Sequence, residues 1–130
     1  MASDFLTSVL RRAVPTVPIT SARISWYHVG YIGWGDRVVN DTMYYITCDT
    51  RLKDDKGARF WCEFKRRYPR WRAKMLERVN PNVSSWNDDD GPQCPSFPSV
   101  EDLLRWLGDT IDPSGSLTKL LLLLVPAKGD

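Results

Sequence analysis

At 130 residues the chain has room for one domain and excludes a second core of comparable size. Its 42% hydrophobic and 26% charged residues are ordinary for a globular protein, while the aromatic share, with six Trp, is high. A net charge of +2 excludes arguments from the charge of the whole molecule, so any electrostatic case must be local.

The first eighteen residues divide into a short helix and a linker. Ser3 is placed to cap the helix, Phe5, Leu6, Val9 and Leu10 recur at helical spacing, and Pro15 and Pro18 stop it. Arg11 and Arg12 follow this apolar patch, the reverse of signal-peptide order, so a cytoplasmic location is expected. Residues 23–32 are rich in β-branched and aromatic side chains and read as a strand, broken by Gly33-Trp34-Gly35-Asp36.

Residues 43–51 and 58–67 read as two further strands, joined by a turn at 53–57 with Gly57 at its exit. A hairpin centred on Asp55 sets Thr50 against Phe60, Cys48 against Cys62, Ile46 against Phe64 and Tyr44 against Arg66. Tyr44, Ile46, Cys48, Phe60, Cys62 and Phe64 then form one apolar face. Cys48 and Cys62 are expected to be two small buried hydrophobes rather than a reversible disulfide.

Tyr68-Pro69 opens a helix in which Trp71, Met75, Leu76 and Val79 recur at helical spacing. Residues 80–99 form a proline-rich acidic connection with Pro92, Pro95 and Pro98 at a polyproline rhythm. Ser99 caps the next helix, with Glu101 and Asp102 in its first turn and Leu103, Leu104, Leu107 and Ile111 as its stripe. Residues 117–125 are apolar on every side and read as a buried closing helix, with a core strand as the alternative. The run 120–125 is too short to span a membrane.

The fold class is therefore α+β: a three-stranded antiparallel sheet followed by helices packed on one face. The expected organisation is a helix and linker appendage at 1–20, a single domain at 21–126 and a tail at 127–130.

Little in the sequence supports catalysis. His28 is the only histidine and stands in a strand, where a structural role is expected. Three cysteines without CxxC spacing make neither a disulfide framework nor a zinc site, and the odd count fits a reducing compartment. Asp88-Asp89-Asp90 lacks the spacing of a calcium loop. The sequons at Asn40 and Asn82 read as chance matches. A binding module without cofactor is expected.

The strongest local signal is the run RRYPRW at residues 66–71. Lys65, Arg66, Arg67, Arg70, Arg72, Lys74 and Arg78 face a single acid, Glu77, within residues 65–78. Guanidinium forks match phosphate oxygens, and a neighbouring Tyr68 offers a flat face to a ring. The alternative is structural, with Arg66 and Arg67 paired to the acidic loop and Tyr68 and Trp71 in the core. Nucleic-acid binding through the same cations is disfavoured by a pI near 8.5 and the acidic loop.

FKRRYPRW, preceded by a strand containing YYIT, resembles the hallmark of phox-homology (PX) domains. There a strand ends in Arg-Arg-Tyr or Arg-Arg-Phe, with a small residue next and an aromatic three positions after the Tyr. The PxxP segments PQCP and PSFP and the closing residues 103–125 are similar to that family's order, so the resemblance covers residues 23–125. It implies a three-stranded sheet with packed helices and recognition of phosphoinositides, most often phosphatidylinositol 3-phosphate on endosomal membranes, with protein partners in many members. It also implies that Arg67 holds the 3-phosphate and Tyr68 stacks beneath the inositol ring, with Arg66 beside them. Ser99-Val100 stands where the family has a Lys for the 1-phosphate. The second family Arg is missing, and Arg105 inside the following helix is its substitute. The membrane-inserting loop is nearly absent, leaving Trp34 or Trp86 for that role. These departures give weight to a protein-interaction module with a degenerate lipid site.

Overall fold

A computed structural model describes residues 3–32, 38–53, 57–78 and 93–125. The first helix, α1 (Asp4–Ala13), begins where Ser3 accepts a hydrogen bond from the Leu6 amide at 3.1 Å. Leu6, Val9, Leu10 and Ala13 line its buried face and belong to the same core cluster as the rest of the molecule.

Two long strands follow, β1 (Ile19–Ile32) and β2 (Val38–Thr50), paired antiparallel from Ile19 opposite Thr50 to Ile32 opposite Val38. Ala22, Ile24 and Trp26 stand opposite Cys48, Ile46 and Tyr44, on the face that supplies Ala22, Ile46 and Cys48 to the core. The other face is largely polar: Ser21 and Arg23 both donate to the Asp49 carboxylate, and the Ser25 and Thr47 hydroxyls are 3.2 Å apart. Both edges are engaged near the core. Along β1, the Ala22 amide donates to Thr7 Oγ1 and its carbonyl accepts from the Ser3 amide. On β2, Tyr44 exchanges two backbone hydrogen bonds with Phe97, at 2.7 and 2.9 Å. Such cover keeps a sheet edge from pairing with other chains.

The expected third strand is a helix. Residues Ala58–Arg67 form α2, so the sheet of the described residues has two strands, and β2 pairs with β1 instead of with 58–67. The reason lies in the aromatic spacing. Phe60 and Phe64, four apart, satisfy both a strand's period of two and a helix's i, i+4 face. Trp61 and Cys62 decide between the two, because Trp61 is buried and Cys62 exposed, the reverse of the strand reading. Cys48 is buried in β2, so no Cys48–Cys62 cross-strand pair exists. Residues 54–56, the centre of the expected turn, lie outside the described residues. At the start of α2, Gly57 has φ +78°, and a Cβ there would come within 2.7 Å of Cys48 Cβ.

Beyond α2 come α3 (Trp71–Leu76), α4 (Val100–Ile111) and α5 (Ser116–Leu121), ending in a 3₁₀ turn at Leu122–Leu124. Ser99 caps α4 by accepting from the Asp102 amide at 3.0 Å, with Glu101 and Asp102 in the first turn. The closing segment is only partly buried. Leu121 is enclosed, but Leu120 is 52% and Leu123 79% exposed, so this element is one-sided rather than apolar-packed all round. The acidic residues 88–90, the break at 33–36 and Trp86 lie outside the described residues.

The core centres on Trp106. Its ring lies 5.5 to 6.0 Å from those of Phe97, Phe64 and Trp61, and its indole N–H donates to the Trp71 carbonyl at 2.8 Å. Edge and tilted contacts of this kind contribute beyond the apolar area they bury.

Candidate anion-binding surface

The residues singled out in the sequence sit at the C-terminus of α2, where Lys65, Arg66 and Arg67 occupy the last turn. The expected strand-to-helix junction is therefore a helix-to-helix junction. Cations in a last turn complement the partial negative charge of the helix end, which gives these side chains a structural role as well.

Tyr68 closes α2 through its amide, which donates to the Phe64 carbonyl at 2.8 Å. Its ring lies 4.9 Å from Phe64 and its hydroxyl donates to the Ala13 carbonyl at 3.1 Å. Arg67 donates through Nη1 to the same oxygen at 3.3 Å. Ala13 is the last residue of α1, so one carbonyl joins the two helix C-termini. Arg12 immediately precedes it, and Arg70 follows Tyr68 by two residues. Both are exposed and have no side-chain partner among the described residues.

Arg66 pairs with Glu63 at 3.0 Å, with its side chain 77% exposed. An exposed pair of this kind is worth about 0–1 kcal/mol, so a stronger anion displaces Glu63 at little cost. Two helix ends carry together about one negative charge. With Glu63 that makes about two, against the four guanidinium groups of Arg12, Arg66, Arg67 and Arg70. The balance is positive.

Other sequence candidates stand apart. Arg105 donates through Nε and Nη2 to Glu101 at 3.0 and 2.9 Å along α4, and no hydrogen bond or ion pair links it to Arg66, Arg67 or Tyr68. Trp71 is buried, with the Lys65 ammonium 4.6 Å from the centre of its ring. His28 is exposed in β1, its Nδ1 3.1 Å from Thr42 Oγ1 and its ring 4.9 Å from Trp26. Among the described residues no group of three His, Cys, Asp or Glu side chains is placed to hold a metal ion, and no helix is long and apolar enough to cross a membrane.

Arg12 is the member that sequence reasoning missed. The available signal was its place in the last turn of a helix; the hydrogen bonds from Arg67 and Tyr68 to its neighbour Ala13 depend on tertiary packing. Comparison of the chain with protein-family models, with curated proteins and with solved structures gives no match.

Proposed function

We propose that the chain is a recognition module without catalysis that binds an anionic membrane surface through Arg12, Arg66, Arg67 and Arg70, with a phosphoinositide headgroup as the preferred target. One observation carries this reading: Arg67 and Tyr68 both donate to the Ala13 carbonyl, which joins the ends of two helices that each carry cations in the last turn. FKRRYPRW resembles the PX hallmark in residue order, although it ends a helix here and not a strand, and that family binds this class of ligand. A basic residue close to an anionic leaflet contributes about 1 kcal/mol, so four contribute about 4 kcal/mol before any headgroup-specific contact.

Flotation of the purified protein with vesicles carrying each phosphoinositide tests the reading. Selective recovery with one headgroup, lost in Arg66→Ala/Arg70→Ala while thermal stability holds, supports it. Failure of the folded protein to float with any of them sinks it. A protein-interaction role is the second reading, favoured by Trp26, which is 59% exposed on β1. It predicts indifference to every vesicle.

A further inference from the structure

At the base of the hairpin, where β1 begins and β2 ends, lies an open depression of about 460 Å³. Val17 and Ile19, both nearly buried, Pro15 and Pro18 form its apolar lining, and Arg11 and Arg51 bring two guanidinium groups to it. Among the described residues no acidic side chain lines it. We infer that this depression binds a small organic oxyanion, a carboxylate or phosphate monoester borne on a single apolar ring.

Two donors line the depression, and one of them is held in place. Arg11 donates through Nε to the Ile19 carbonyl at 3.1 Å and through Nη2 to the Thr20 carbonyl at 3.2 Å. A guanidinium has five N–H groups, so three remain after those bonds, on a side chain already fixed to the strand. Arg51 is exposed and its side chain has no partner among the described residues. Asp49, two positions before it on β2, is engaged by Ser21 and Arg23.

The walls are fixed as well. The Ile19 amide donates to the Val17 carbonyl at 3.0 Å, the Arg51 amide to the Pro18 carbonyl at 3.4 Å, and the Thr20 hydroxyl to the Asp49 carbonyl at 3.1 Å. Pro15 and Pro18 restrict the backbone further. An apolar lining with a few polar groups is the usual form of a small-molecule site, which spans roughly 300–1,000 Å³. The ring supplies apolar area to bury, and the oxyanion takes both guanidinium groups.

This site is separate from the membrane-binding surface. Successive helical residues point about 100° apart, so Arg11 and Arg12 leave α1 in different directions. Arg11 reaches β1, whereas Arg12 adjoins the Ala13 carbonyl that holds Tyr68.

The test is amide-resolved NMR titration of the full chain with benzoate and, separately, phenyl phosphate, in the wild type, Arg51→Ala and Arg12→Ala. Saturable shifts centred on residues 17–20 and 51 are expected. Affinity should fall at least tenfold in Arg51→Ala at unchanged melting temperature, and stay the same in Arg12→Ala. Binding of one anion but not the other supports the site and identifies the ligand class. No saturable shift with either anion, equal affinity in Arg51→Ala, or shifts centred on residues 66–70 overturns the inference.

Discussion

The Tyr68 hydroxyl donates to the Ala13 carbonyl at 3.1 Å, across 55 residues of sequence, and Arg67 donates to the same oxygen. A run that reads as a ligand-binding motif is thus also a clasp between two helices. The clasp is compatible with the proposed ligand role, because it takes one donor from Arg67 and leaves its other N–H groups uncommitted by any bond among the described residues.

Tyr68→Phe keeps the ring against Phe64 and removes only the hydroxyl. We expect a loss of about 1 kcal/mol, the net worth of one hydrogen bond, measured by chemical denaturation. A change close to zero would mean that Arg67 alone satisfies the carbonyl.

The two central tryptophans should respond differently to Phe. Trp106→Phe loses volume and leaves the Trp71 carbonyl without its donor. Trp61→Phe loses similar volume, but the Trp61 indole N–H is buried with no partner among the described residues, so its removal relieves a penalty of roughly 1–3 kcal/mol. Trp106→Phe should therefore cost more by about 2 kcal/mol. Equal costs in paired denaturation curves would contradict the hydrogen-bond assignments.

Gly108 tests the approach of α4 to α5. A Cβ there would lie 2.7 Å from the Thr118 Cα, closer than real contacts allow. Ala is the better helix former by about 1 kcal/mol, yet overpacking costs about 1–3 kcal/mol. The steric effect should win, so Gly108→Ala should lower the melting temperature. A rise would show that the two helices separate easily.

Asp112 links stability to pH. Its carboxylate accepts from the Ser114 hydroxyl at 2.7 Å and from the Ser114 and Leu117 amides, which holds its carboxyl below the usual range. A group depressed on folding contributes stability above its unfolded pKa, about 3.9 for Asp. That contribution is lost as pH falls through the folded value. Asp112→Asn should thus be less stable than wild type at pH 7, with the gap narrowing at pH 3. A gap that is constant between the two, in denaturation at each pH, would contradict the assignment.

The caps and the sheet's own alternation were legible in the sequence. Ser3 and Ser99 cap helices as their spacing indicates, and Tyr44, Ile46 and Cys48 share a face of β2. Residues 58–67 were not, because Phe60 and Phe64 fit either period and aromatic composition favours strands. Only the burial of Trp61 and exposure of Cys62 separate the two readings, and burial is a tertiary fact. The candidate surface divides in the same way. Arg66, Arg67 and Tyr68 stand out as a basic-aromatic run, while Arg12 belongs with them only because Ala13 meets Tyr68. Local pattern carries no information about that contact.

That contact makes the most direct test of the account. Vesicles containing the preferred anionic lipid would be titrated with wild type, Arg12→Ala and Arg105→Ala at one ionic strength. Arg12→Ala should weaken binding about fivefold, the equivalent of about 1 kcal/mol, although it lies far from residues 66–70 in sequence, and Arg105→Ala should bind as wild type. Unchanged binding in Arg12→Ala, or an equal loss in Arg105→Ala, would contradict a surface assembled around the Ala13 carbonyl.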